Sequence, residues 1–433
     1  MSAAELLRAP LFHTPANPFR DDRALVSHED GGLLIRDGRI VASGDYETVR
    51  REAGDAVTVD WRGGFVLPGL VDTHVHYPQL RIIGGLGRTL LDWLKHVALP
   101  EEAQMADLLY ADDIADGFIH ALASHGTTTA LVFGAHFAAA TASLFKTAAS
   151  SGLRITSGLV MSDRRLLPEL HQAPKDAYRD SADLIRRFHG LGRLRYAVTP
   201  RFALSTTEAM LEVCQSLVAE HPTVRVTTHM NESIGEVAEV RKLFPWATDY
   251  LAVYERYGLA GSSSVLAHNV QATTSELERL AASHASIAHC PASNAALGSG
   301  IFPLRRHVDA GVHCALGTDV GGGVGFGILK EGLHAYLAQR LATDGVVLNP
   351  AQLLYLSTLA GAEAMGLDAD VGDFRAGKAA DLVYMRPPES SPLSEVLRRA
   401  DSMEQSLAAI FTLGGAESVR EVRVEGSVVY RAT

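Results

Sequence analysis

Cysteine is scarce in this chain, with three in 433 residues: Cys214, Cys290 and Cys314. Three thiols so widely spaced exclude a disulfide framework and a paired-cysteine zinc site. No run of about 18 uninterrupted apolar residues occurs, so no membrane span is expected. The opening MSAAELLRAPLFHTP has no long apolar core behind a basic end. No secretory leader is therefore expected, and the cytoplasm is the expected compartment. Basic charge is short as well: 39 Lys and Arg stand against 50 Asp and Glu, for a formal net charge of −11. That balance argues against a partner bound through its phosphate backbone, nucleic acid included. It leaves small-molecule substrates open. Hydrophobic residues make up 47% and charged residues 21%, an ordinary globular composition with ample chain for a large core.

Two kinds of pattern divide the chain. The ends are β-rich. Residues 31–44 place two apolar runs around Asp37-Gly38, and residues 419–433 do the same around Glu425-Gly426, both strong hairpin signals. A short run at 379–385 joins them, and the two ends are expected to pair into one small sheet domain. The middle instead repeats a short β-branched run, a polar loop and an amphipathic stretch. The runs cover 65–76, 127–134, 154–163, 195–202, 224–232, 264–270, 286–294 and 313–321. Eight βα units in succession predict a closed parallel barrel rather than an open doubly wound sheet.

In such barrels the reactive groups gather at the C-terminal ends of the strands. Here the first predicted strand ends in His74-Val75-His76, the fifth in His229, the sixth in His268 and the eighth in Asp319. Residues two apart on a strand point the same way, so both first-strand imidazoles can face one ion. A single strand-end His carries little weight, since packing alone often accounts for one. The inference rests on all five falling at strand ends together. Four imidazoles and a carboxylate suit a borderline transition metal, zinc first and ferrous iron second. The fourth predicted strand has no Lys to bridge a second ion and no acid at its end, which favours a single metal. One such ion brings the pKa of bound water towards about 7 and supplies a hydroxide nucleophile. Glu232, three residues after His229, is the expected proton shuttle, with Asp319 taking a proton from the water and His268 orienting it.

These residues fall in segments with a wider likeness. PGLVDTHVHYPQ (68–79), TPRFA (199–203), HMNE (229–232), LAHNV (266–270), HCPASN (289–294) and GTDVGGG (317–323) resemble the metal-dependent amidohydrolase superfamily. HYPQ, TPRF and LLDWLKHVALPEE (90–102) resemble the guanine deaminases within it more narrowly. The resemblance implies an α/β fold: a TIM-like (β/α)8 barrel over residues 67–368, with a small β-sandwich domain formed by residues 1–66 and 369–433. It implies one zinc per chain on His74, His76, His229, His268 and Asp319, and a homodimer. It implies hydrolytic deamination of guanine to xanthine and ammonia, with Glu232 protonating a ring nitrogen. Substrate contacts are implied at Gln79, Arg201, Phe202 and Glu232. The side chains suit those roles: Arg201 is a fixed cation with directional donors for a purine carbonyl, and Gln79 carries both a donor and an acceptor. Phe202 or Trp93 can stack on a flat ring. The P-C-x-x-C pair of cytidine-deaminase-type zinc sites is absent. Two alternatives stay open: an aminohydrolase of the same barrel acting on another amino-purine, a pterin or a triazine, and a non-catalytic scaffold, which would hold no metal.

Overall fold

The computed structural model describes residues 4–433, so the first three residues of the expected N-terminal portion lie outside the described residues. Seventeen strands run in chain order. The first five are β1 (Glu5–His13), β2 (Val26–Arg36), β3 (Arg39–Asp45), β4 (Val57–Asp60) and β5 (Phe65–Pro68). The middle of the chain supplies β6 (Leu70–His76), β7 (Thr127–Phe133), β8 (Arg154–Gly158), β9 (Val160–Met161), β10 (Arg195–Pro200), β11 (Arg225–Met230), β12 (Ser264–His268), β13 (Ser286–His289) and β14 (His313–Leu316). The last three are β15 (Leu382–Met385), β16 (Val419–Val424) and β17 (Ser427–Arg431).

The chain ends do share one sheet, in the order β17-β16-β15-β5-β1-β2-β3 with β4 on β1. Both predicted hairpin turns form where expected. Asp37-Gly38 and Glu425-Gly426 all take positive φ, between 48° and 76°, the backbone of a two-residue turn matched to strand twist. The two turns meet beside Ala380, whose N–H donates to the Gly38 carbonyl and whose carbonyl accepts from Gly426 N–H. Asp381 then ties this sheet to the barrel: its carboxylate accepts from Arg154 Nε at 2.7 Å and from the Glu425 N–H at 2.8 Å.

All eight predicted barrel strands are present, parallel, in the order β14-β13-β12-β11-β10-β8-β7-β6. Their faces are buried almost throughout, as expected for strands covered by helices on one side and packed inside on the other. The ring closes between β14 and β6 through Thr73 Oγ1 on the Leu316 carbonyl (2.8 Å), Asp319 N–H on the His74 carbonyl (2.8 Å) and His76 N–H on the Val320 carbonyl (2.9 Å). One expectation needs correction. The apolar run at 65–76 is two strands in two sheets: β5 pairs with β15 in the end sheet, and only β6 enters the barrel. The break falls at Gly69, where a Cβ would lie 2.1 Å from Thr128 Oγ1. Only glycine lets the backbone pass that close to β7.

Candidate active site

The strand ends converge at one end of the barrel, where the backbone departs from regular geometry. Asn231, His268, Asn269 and Asp319 all have φ between 49° and 71°. Left-handed backbone at non-glycine residues is uncommon, and it concentrates where surrounding structure holds side chains for chemistry.

His74, His76, His229 and Asp319 form a buried quartet whose ligand atoms all lie within 4.8 Å of one another. The Nε2 atoms of His74 and His76 are 3.2 Å apart, and those of His76 and His229 are 3.1 Å apart. Asp319 Oδ1 is 3.3 Å from each of His74 and His76 Nε2. His229 donates Nδ1–H to the Arg201 carbonyl at 2.6 Å, so its Nε2 turns a bare lone pair towards the others. Burial lowers the pKa of all three imidazoles, that of His76 to about 4. Neutral imidazoles present the nitrogen lone pairs that one shared cation would take up. Donors about 2.0–2.1 Å from one tetrahedral ion sit roughly 3.3 Å apart, and the observed spacings match. Burial works against the charge on Asp319, but His74 and His76 outweigh it and hold the carboxyl well below its ordinary value. The quartet fits a divalent metal.

Beneath it lies a carboxylate that the sequence reading missed. Asp72, fully buried, accepts from His74 N–H and Thr318 N–H, both at 3.1 Å, and from Thr318 Oγ1 at 2.5 Å. It locks the first histidine to the segment that carries Asp319. Burial pushes its pKa up to about 7.

His268, expected as a fifth ligand, stands outside the quartet. Its Nε2 is 3.8 Å from Asp319 Oδ2 and 3.6 Å from Glu232 Oε2. Its Nδ1 pairs with Asn294 Oδ1 at 3.0 Å, which fixes the ring and leaves Nε2 facing the two acids. Of the two roles expected for it, orienting a water is the one this position suits. Glu232 is buried and accepts from Ser299 Oγ through Oε1 at 3.2 Å. Burial, reinforced by Asp319, raises its pKa well above the ordinary value. Its backbone is held from below: Glu236 caps the helix Ile234–Leu243 with Ser233, and Glu236 Oε2 also accepts Glu232 N–H at 2.9 Å.

A cavity opens above these groups. Gln79, Trp93, Arg201 and Phe202 line it together with His76, His229, Glu232, His268 and Asp319, and Leu90, Leu94 and Leu297 add apolar wall. All ten residues singled out from the sequence therefore reach one place, with His74 in the layer just below. Arg201 is 3% exposed, so its cation is held inside the site and not at the surface. Its Nη1 donates to Glu102 Oε2 at 2.5 Å. Glu102 and His136 were not foreseen. They are buried behind Arg201, 3.0 Å apart, and burial keeps His136 neutral. Glu102 ends the LLDWLKHVALPEE stretch and His136 follows the second barrel strand, the only local signals either offered. Apolar walls set with convergent polar groups give the cavity the character of a small-molecule site.

An amidohydrolase family model matches residues 65–429, and a bacterial imidazolonepropionase-like composite domain matches 31–56. A probable guanine deaminase of Deinococcus radiodurans is 55% identical over 432 residues, covering 98% of both chains. Escherichia coli guanine deaminase is 39% identical over 416 residues, covering 96% of this chain and 94% of that one. A solved structure of Escherichia coli guanine deaminase, 36% identical, aligns over the whole of both chains with a TM-score of 0.94.

Proposed function

We infer that this chain, which belongs to the amidohydrolase family and to the guanine deaminases within it, hydrolyses guanine to xanthine and ammonia. The observation that carries the reading is the juxtaposition of two groups in one small cavity: a buried three-histidine, one-aspartate cluster, and Arg201 with Gln79 on the wall beside it. We take the ion to be one zinc per chain, held by His74, His76, His229 and Asp319, with ferrous iron the second choice. When bound it supplies a Lewis acid that brings the pKa of a water towards about 7.

The protein's own groups then divide the proton work. Asp319, ionised, accepts a proton from the attacking water through the oxygen that faces His268. His268, braced by Asn294, orients that water by hydrogen bonding. Glu232, whose pKa burial raises well above its ordinary value, gives a proton to the ring nitrogen beside the carbon that bears the amino group. The proton taken up by Asp319 then passes to the amine as it leaves, and the proton of the added hydroxyl returns to Glu232, so one water enters and one ammonia departs. Arg201 donates to the purine carbonyl, Gln79 binds the ring edge, and Phe202 or Trp93 stacks on the ring face.

We propose that residues 67–368 form the catalytic unit and that residues 1–66 and 369–433 support it. Family likeness also supports a homodimer working in the cytoplasm. No helix among the described residues is long and apolar enough to cross a membrane. Steady-state rates on guanine, adenine, a pterin and an amino-triazine test the substrate. Guanine is expected to lead the panel by a wide margin. Turnover of guanine no faster than adenine or pterin would overturn the assignment.

A further inference from the structure

Glu102 lies behind the cavity wall made by Gln79 and Arg201, with 2% of its surface exposed, and both its oxygens are engaged. Oε1 accepts from Gln79 Nε2 at 2.7 Å. Oε2 accepts from Arg201 Nη1 at 2.5 Å and from His136 Nε2 at 3.0 Å. His136 is steadied in turn by Ser162 Oγ, 3.1 Å from its Nδ1. Burial opposes the charge on Glu102, but Arg201 and His136 outweigh it and hold the carboxyl below its ordinary value. Neutralising Arg201 would need one of these bonds. The other two need a different explanation.

Gln79 supplies it. Its Oε1 accepts the Gly321 N–H at 2.9 Å while its Nε2 donates to Glu102. The two bonds together decide which way the amide points, because a flipped amide would set oxygen against carboxylate and N–H against N–H. The amide hydrogen left over is a donor, and every polar atom of Arg201 is a donor. A ring carbonyl satisfies such a pair. A ring amino group in its place leaves donors facing donors in a buried site, which costs far more than the lost bond alone.

We propose that Glu102 is the positioning and specificity-determining residue of this pocket: one buried carboxylate that fixes Arg201 and Gln79 together as a donor pair and so selects a 6-oxo purine over a 6-amino one. The proposal rests on the guanine reading above and adds to it the residue that enforces the choice.

The test compares Glu102→Gln and Glu102→Asp with the wild type, as metal-loaded enzymes, on guanine and on 2,6-diaminopurine. The second compound keeps the 2-amino group and replaces the 6-carbonyl with an amino group. Partial misfolding scales both rates alike, so it moves neither KM nor the ratio of the two kcat/KM values. Mispositioning moves both. In each variant KM for guanine is expected to rise, and the guanine-to-diaminopurine ratio to fall, by roughly tenfold or more, with metal content unchanged. Should the Gln variant fail to fold, Glu102→Asp carries the test alone. It keeps the charge that Arg201 requires and withdraws the carboxylate by one methylene. An unchanged KM and ratio in a folded variant overturns the proposal, as does a wild type that treats the two purines alike. A wild type inactive on guanine is a different result, which removes the functional reading itself.

Discussion

Replacing Glu232 with Gln separates proton transfer from the rest of this site. The amide keeps the carboxyl's shape and can still accept the Ser299 Oγ–H that reaches Oε1 at 3.2 Å. It has no acidic proton to give. Burial and the nearby Asp319 raise the wild-type carboxyl's pKa well above its ordinary value, so the substitution removes the group placed to carry the proton. A positioned general acid contributes roughly 10²–10⁴-fold to rate, or ~3–5 kcal/mol of barrier at ~1.4 kcal/mol per factor of ten. With guanine followed by its ultraviolet absorbance, kcat is expected to fall by that factor while KM, metal content and thermal midpoint stay near wild type. The pH profile gives an independent check. A group with a raised pKa keeps its proton below that value and loses it as pH rises through it, so wild-type activity declines on the alkaline side for this reason. The variant lacks that decline. Wild-type turnover in a folded, metal-loaded variant, or alkaline limbs that coincide, would refute the assigned role.

Arg201→Ala takes a donor from the pocket and leaves the Glu102 carboxylate buried without its cation. KM for guanine should rise about 100-fold, and urea unfolding should show a loss of ~3–5 kcal/mol, with metal content of the folded protein unchanged; an unaltered KM would take Arg201 out of the pocket. Gly69→Ala drives a Cβ to 2.1 Å from Thr128 Oγ1 and should cost ~1–3 kcal/mol by overpacking, part of which Thr128→Ala restores; strictly additive losses in the double variant would contradict the clash. Glu236, raised by burial from 4.5 to about 7, makes the fold less stable as pH climbs from about 4.5 to about 7, because the unfolded chain gives up that proton first. Relative to the wild type, Glu236→Gln should therefore gain up to ~3 kcal/mol across that window, and a difference that does not vary with pH would show that Glu236 is not the titrating group.

The barrel was legible because its strands are short β-branched runs between polar loops, and the end sheet because its two turns carry Asp-Gly and Glu-Gly. The split at Gly69 was not legible. Residues 65–76 read as one continuous apolar run, and only the approach of Thr128, distant in sequence, reveals the break. The quartet of His74, His76, His229 and Asp319 could be read because each member lies at or just past the end of a strand that the pattern had already located. Glu102 could not, since its partner Arg201 is 99 residues away and nothing local separates a buried acid from an exposed one on a helix. Asp72 offered one signal, a charge inside an otherwise apolar strand. His268 shows the opposite limit: residue type and spacing placed it at the site but could not show that its Nε2 would face Glu232 and Asp319 from outside the quartet.

His74, His76, His229 and Asp319 are expected to hold one divalent ion on which turnover depends. Elemental analysis of the purified protein, paired with guanine turnover before and after chelation, tests it most directly. One equivalent of zinc or iron per chain is expected, with activity lost on removing the metal and recovered on adding it back, and neither metal nor activity in a folded His229→Ala variant. A metal-free protein that turns over guanine at the holoenzyme's rate would contradict it.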